Sequence, residues 1–161
     1  MQKEYMTILH DGVRYRDVNY MTSTSAIDSL YWIGEDGTLR AQGKIRTAYP
    51  RYRRSQETGE IIGNPRYFYN CIREDDTWHD FLRARLVAEA FCQNAKHKPI
   101  VHHIDGDCSN DHYSNLVWVT EDEHIECHRL MRIGDKAAYD AYISEIRANN
   151  YESVSEHVYN F

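Results

Sequence analysis

The sequence predicts an α+β fold: a small antiparallel β-sheet module, then a compact unit of two strands and a helix, then a C-terminal helix. Three observations carry this. Between residues 29 and 76, short stretches rich in Tyr, Trp and Ile alternate with turns that contain Gly. The short apolar runs "IVHHI" and "LVWVT" flank a polar loop between Ile100 and Thr120. Apolar residues recur at helical spacing before that pair, after it and again near the C-terminus.

The elements follow in order. Residues 1–28 are polar and weakly patterned and read as an N-terminal arm, with "MTSTSAIDS" as a turn-rich linker. Residues 29–76 read as a strand-rich, basic module. In "LYWIGEDGTLRAQG", Tyr31, Trp32 and Ile33 suit a strand, Asp36-Gly37 a turn, and Thr38 to Ala41 the return strand. "TAYPRYRRSQETGEIIGNP" reads as a basic, tyrosine-bearing loop. "RYFYNCI" reads as a strand with Tyr67, Tyr69 and Cys71 on one face and Phe68, Asn70 and Ile72 on the other. From residue 77, "TWHDFLRARLVAEAFCQN" reads as a helix capped by Asp80, with Leu82, Leu86, Ala90 and Phe91 inward. Pro99 breaks the chain, and strand, polar loop and strand follow. Thr120 and Glu123 form a capping box, so a helix starts there and runs to Gly134, closing a unit over 77–133. The tail, 134–161, carries one amphipathic helix with Ala138, Tyr142, Ile143 and Ile146 as its apolar side.

The bulk numbers narrow the function. The chain has 161 residues, 42% of them apolar, enough to bury the core of one domain or of a small domain with an appendage. There is no run of 18 apolar residues and no apolar leader at the N-terminus, so neither a membrane span nor a secretory signal is expected. Cys71, Cys92, Cys108 and Cys127 stand singly, with no C-x-x-C pair. They read as reduced thiols in a cytosol, packed as small apolar residues.

Net charge is −6, which by itself speaks against a polyanionic partner. The distribution speaks for one. From Arg40 to Arg73 there are eight basic residues, opposed only by Glu57 and Glu60; from Val87 onward there are six basic and thirteen acidic residues. Such polarity can steer a polyanion to one face of an acidic chain, although a solvated surface of mixed charge would look the same.

The chemistry concentrates between residues 99 and 133. His102 and His103 end the first strand, Asn115 opens the second, and His124 and His128 lie four apart on one helix face. A helical i, i+4 histidine pair offers two imidazoles to one metal. Taken alone that pair would be two exposed histidines, but His102 and His103 stand on the neighbouring hairpin. The adjacent histidines could be two ligands, a ligand and a base, or unrelated. Neighbours on a strand point to opposite faces, so both reach one substrate only if the backbone bends, as the Asp105-Gly106 turn allows. Asp105 and Asp107 read as turn formers, Asn110 and Asp111 as loop hydrogen-bonders, and Leu116 and Trp118 as core.

The stretch "LVAEAF…KPIVHHIDGD…NDHYSNLVWVT…EH…H" resembles the HNH, or ββα-metal, endonuclease family, and within it the HNH homing endonucleases of phages and introns. The resemblance is dense over residues 83–128 and faint over 29–73. It implies a ββα-metal (HNH) nuclease core over 77–133 with an upstream antiparallel β-sheet module. It makes His103 the general base and Asn115 the residue that holds that histidine or its loop. It makes His102 and His124 metal ligands, and His128 a further ligand or phosphate contact. The implied cofactor is one divalent metal ion: Zn, Ni, Mn or Mg. Homing enzymes often carry Asp or Asn at the ligand positions, whereas here both are imidazole, as in HNH toxin nucleases, which favours transition-type ions over Mg²⁺. The position ahead of "RLVAEAF", often His in relatives, is Ala84.

The implied partner is double-stranded DNA, held by Arg46, Arg51, Tyr52, Arg53, Arg54 and Arg66, with no membrane and a possible homodimer. The implied location is a bacterial host cytoplasm. Three other readings compete, one of them an inactive nuclease relative kept as a DNA-binding protein, against which the complete set His102, His103, Asn115 and His124 weighs. A zinc protease fails, because its motif needs Glu directly after the first histidine and the helix reads His124-Ile125-Glu126-Cys127-His128. A non-catalytic structural-zinc module that binds nucleic acid would close a four-ligand site with His102, His124, Cys127 and His128.

Overall fold

The computed structural model describes residues 7–18, 31–72 and 78–151. The turn-rich segment 21–29, the side chains of Cys71 and Ile72, and the end of the tail at 152–161 lie outside the described residues. The described chain is a mixed α+β structure of antiparallel sheets and helices.

A five-stranded sheet comes first, in the order β1 (Thr7–His10), β2 (Val13–Asp17), β3 (Tyr31–Gly34), β4 (Leu39–Ala41), β5 (Lys44–Arg46), with every neighbour antiparallel. The β3–β4 hairpin turns through Asp36-Gly37 as its sequence predicts. β1 and β2 are a departure from the expected irregular arm: "TILHDGVRYRD" is too polar to show alternation over four residues. Its register is set by pairing with β3, which buries Tyr15.

β6 (Tyr49–Arg54), β7 (Ile61–Ile72) and β8 (Trp78–Leu82) form a three-stranded sheet. Here too the structure corrects the sequence reading. The basic segment expected as a loop is the β6–β7 hairpin, with a register shift between Arg51 and Arg53. The segment "WHDFL" expected as the first turn of a helix is a strand. Asp80 lies opposite Asn70 in that strand, so it caps nothing. The helix α1 is Arg83–Phe91, and its N-cap position is Leu82, with no side-chain cap. Pairing of five residues with β7 outweighs the local helix signal.

β9 (Ile100–His103) and β10 (Leu116–Val119) form a hairpin, with His103 opposite Leu116 and His102 opposite Val117. α2 (Glu121–Ile133) starts on the expected capping box of Thr120 and Glu123 and ends at Gly134, whose φ of 74° suits glycine. α3 (Lys136–Asn150) follows at once, its N-terminus capped by Asp135. Alternation along β10 places the hairpin between two cores. Leu116 and Trp118 join α1, β3, β4 and Tyr69 of β7. Val117 and Val119 join Cys127 and Leu130 of α2 and Tyr139, Ile143 and Ile146 of α3. No described helix is long and apolar enough to cross a membrane.

Candidate active site

The hairpin is buried on both faces, so its last residues are held as firmly as a core. His102 points toward α2 and α3 and is 2% exposed. α2 supplies His124 and His128, one turn apart. The ring centroids of His102 lie 5.4 Å from His124 and 5.2 Å from His128, and those two are 4.5 Å apart. One ligand-capable nitrogen from each of the three lies within 4.8 Å of the others. His124 Nε2 and His128 Nε2 are 3.0 Å apart.

A residue of the tail helix, which no spacing in the sequence singles out, completes this cluster. His102 Nε2 lies 2.9 Å from the Tyr139 hydroxyl, which donates its own proton to the Ile104 carbonyl at 2.7 Å. The hydroxyl therefore accepts from His102 Nε2–H, leaving Nδ1 as the nitrogen available to a metal. Burial, followed by the neighbouring His128, His124 and His103, pushes the His102 imidazole down to about 4. Burial and His128 also lower His124. Neutral imidazole is the form that binds metals, and three nitrogen donors leave a coordination position open. The donor set fits one divalent metal ion. Cys127 does not belong to it: fully buried among Val117, Val119 and Ile143, its thiol is raised to about 11 by that burial.

His103 points the other way, toward the polar loop and α1, as strand alternation requires. Its Nε2 lies 2.6 Å from Asp111 Oδ1, and among the described residues its Nδ1 takes no hydrogen bond. Both histidines nevertheless line one cavity of about 350 Å³, shared with His124, His128, Arg66 and Arg85, because that cavity runs along β9 from Ile100 to His103, on the edge that β10 does not cover. The chain turns sharply after His103. Ile104 N–H donates to the Asn115 carbonyl, and Gly106 turns at φ 78°, where an added Cβ would stand 2.7 Å from the Met131 methyl.

Asn115 holds this loop. Its Oδ1 accepts from the Asp105 N–H at 3.0 Å, and its Nδ2 donates to Asp105 Oδ1 and to the Asn110 carbonyl. It touches the loop rather than the His103 ring. Asp105 and Asp107 act as turn formers: Asp105 accepts from Asp107 N–H and Asn110 Nδ2, and Asp107 from Ser109 N–H and its hydroxyl. Asp111 departs from the loop-bonding role read from sequence, for its carboxylate joins His103 to Arg83 of α1. No periodicity marks it, because loop geometry alone brings it back beneath the strand.

The basic residues separate into two places. Arg66 exposes its guanidinium beside the cavity, with Arg85. Tyr52, Arg53 and Arg54 are exposed on β6, while Arg51 is paired with Asp80 at 2.7 Å. Arg46 lies on β5, half-buried, and among the described residues its Nε has no partner.

No family model and no curated protein matches the chain. Among solved structures it is similar to one described as "DNA binding and cleavage by the HNH homing endonuclease I-HmuI": the two are 23% identical, the likeness covers 81% of this chain and 67% of that chain, and the TM-score is 0.47.

Proposed function

We propose that this chain is a metal-dependent DNA endonuclease of the HNH type, with β9, β10 and α2 as its ββα-metal core and the upstream strands as its DNA-binding module. The observation that carries this reading is the cavity along β9, where an imidazole whose Nδ1 takes no hydrogen bond among the described residues stands beside a cluster of three further imidazoles. A phosphodiester is anionic and repels hydroxide, so its hydrolysis needs charge neutralisation and a water activated in place. His102, His124 and His128 would hold one divalent ion: Zn, Ni or Mn by donor chemistry, with Mg less suited to nitrogen ligands. Such an ion supplies neutralisation of the charge that builds on the phosphoryl and leaving oxygens. His103 takes the proton of the attacking water on Nδ1. Arg66 brings positive charge to the cavity wall, suited to a phosphate beside the scissile one, while Arg85 there is already paired with Glu89 at 3.0 Å. Asn115 keeps the loop, and with it the strand end, in register. Tyr52, Arg53 and Arg54 then grip the duplex away from the cut, with Arg46 beside them on β5 and Arg51 held back by Asp80.

One site per chain cuts one strand per binding event, so a monomer nicks and a homodimer would cut both. A homing role, a phage source and a cytoplasmic site of action rest on the sequence resemblance alone. The test is cleavage of supercoiled plasmid, and of long phage genomic DNA so that a selective cutter meets its target. The protein is used first with chelator, then with Mg²⁺, Mn²⁺, Ni²⁺ or Zn²⁺, beside His103→Ala. The expected result is nicking or linearisation that requires metal and is lost in the variant. Intact DNA under every metal on both substrates would overturn the reading.

A further inference from the structure

The Asp111 carboxylate is 3% exposed, and each of its oxygens has its own partner. Oδ1 lies 2.6 Å from His103 Nε2. Oδ2 accepts from Arg83 Nε at 2.6 Å. Arg83 is itself fixed on two further sides: Nη2 donates to the Ser109 carbonyl at 2.8 Å, and its guanidinium stacks 4.3 Å from the Tyr67 ring centre. A carboxylate so clamped cannot rotate away from the imidazole, and when ionised it only accepts hydrogen bonds. The nitrogen facing it must therefore carry the proton.

We infer that Asp111 is the positioning residue of His103: clamped by Arg83, it holds the imidazole as the Nε2–H tautomer and presents the Nδ1 lone pair to the cavity. The consequence for cleavage rests on the reading of His103 as base. A neutral imidazole populates both tautomers, and only one leaves Nδ1 free to accept a proton. Asp111 removes the other tautomer and also fixes the plane of the ring. When His103 takes a proton, the imidazolium forms with a carboxylate already in contact, the arrangement by which a buried Asp orients the histidine of hydrolytic triads. Arg83 ties this arrangement to the three-stranded sheet, since the same guanidinium touches the loop carbonyl and Tyr67 of β7.

Asp111→Asn tests the inference sharply because it keeps the shape and reverses one hydrogen bond. Arg83 only donates, so the new amide turns its oxygen to Arg83 and its NH2 to His103 Nε2. That nitrogen must then accept, and the proton moves to Nδ1. The first measurement is long-range ¹⁵N–¹H NMR of the histidine rings in the metal-free protein, with His103→Ala assigning the signal. The expected result is an Nε2–H ring in the wild type and an Nδ1–H ring in Asp111→Asn. The second is steady-state cleavage, where kcat should fall on the order of 10²- to 10⁴-fold with KM unchanged. Asp111→Ala, which frees the ring to populate both tautomers, should fall between the wild type and Asn. A His103 ring that keeps the Nε2–H form in Asp111→Asn overturns the inference whatever the activity. A switched ring with undiminished kcat leaves Asp111 setting the tautomer and overturns the reading of His103 as base. A wild-type protein that cuts no DNA sinks the endonuclease reading instead, and the ring measurement still decides what Asp111 does to His103.

Discussion

The two antiparallel hairpins β9–β10 and β6–β7 share a topology and differ in nearly everything else. In β9–β10 every residue of the second strand is buried, one face against α1 and the sheets, the other against α2 and α3. In β6–β7 the first strand is exposed from Pro50 to Arg54, and Tyr52, Ile61 and Ile62 are about half exposed. Burial on both faces fixes side chains to within the tolerance that proton transfer and metal ligation need. The exposed half of this hairpin, Pro50 to Arg54 against Ile61 to Asn64, cannot hold such geometry, but it offers charge and apolar surface to a partner much larger than itself. Variants in the first hairpin should therefore alter chemistry and stability, and variants in the second should alter affinity.

The largest effect should come from His103→Ala, which removes the base and leaves the surroundings intact. The fall in kcat should be on the order of 10²- to 10⁴-fold, with the affinity for DNA unchanged in a binding assay with chelator. Comparable losses of rate and affinity would mean that the buried hairpin is also the grip, and the comparison would fail.

The next effect concerns stability. His102 is held neutral, its pKa lowered from 6.5 to about 4 by burial and then by the three neighbouring histidines. The unfolded chain takes up this proton first as pH falls. The folded state therefore keeps its full stability above pH 6.5 and loses it progressively toward pH 4, by roughly 3 kcal/mol for one group shifted this far. Urea titrations of metal-free protein at pH 7 and pH 4.5 should show the loss, and His102→Asn should flatten it. A transition equally stable at both pH values would show that the cluster is open to water. Metal should act on the same element with smaller size: at 100 times its dissociation constant, Zn²⁺ or Ni²⁺ should add about 2.7 kcal/mol at pH 7. Calorimetry should show that gain vanish in His124→Ala and in His128→Ala.

The contrast between the hairpins also explains what the sequence could and could not disclose. The unit from Ile100 to Ile133 is legible because its signals are local. Thr120 and Glu123 write the start of α2, Gly134 its end, and the i, i+4 spacing puts His124 and His128 on one face. Where pairing partners lie far apart, the local signal misleads. Asp80 looks like a helix cap, yet β7 draws "WHDFL" into a strand and hands Asp80 to Arg51. "RYRRSQETGEII" looks like a loop because both its strands are solvated and no alternation survives. Thr7–Asp17 looks like an arm because β1 is exposed throughout and β2 buries only Tyr15 and a polar residue, Asp17, so no apolar alternation shows. In the site, the imidazoles stand out by residue type, whereas Asp111 and Tyr139 do not. An aspartate in a polar loop and a tyrosine on an amphipathic helix are ordinary until tertiary contact gives each one imidazole to bond.

The smallest effects should separate the arginines of β6 from one another. Arg51 donates to Asp80 at 2.7 Å and lies over the Tyr49 and Phe68 rings, so its charge is already answered. Arg54 donates only to the Gly59 carbonyl, and among the described residues neither it nor Arg53 has an ion pair. Each phosphate that a free cation neutralises contributes about 0.9 to the slope of log affinity against log salt. Arg53→Ala and Arg54→Ala should each reduce that slope by about one unit, with kcat unchanged at saturating DNA. Arg51→Ala should hardly move it, because Arg51 must first leave a surface ion pair worth about 0–1 kcal/mol. Asp80→Asn sharpens the test by releasing Arg51 without removing it, so the slope should steepen by about one unit. If Arg51→Ala instead costs as much as Arg53→Ala and Asp80→Asn changes nothing, then position along the strand, not free charge, decides what touches DNA. If no substitution on β6 moves the slope, β6 does not meet DNA, and Arg66 of β7, at the cavity, remains as the charge that does.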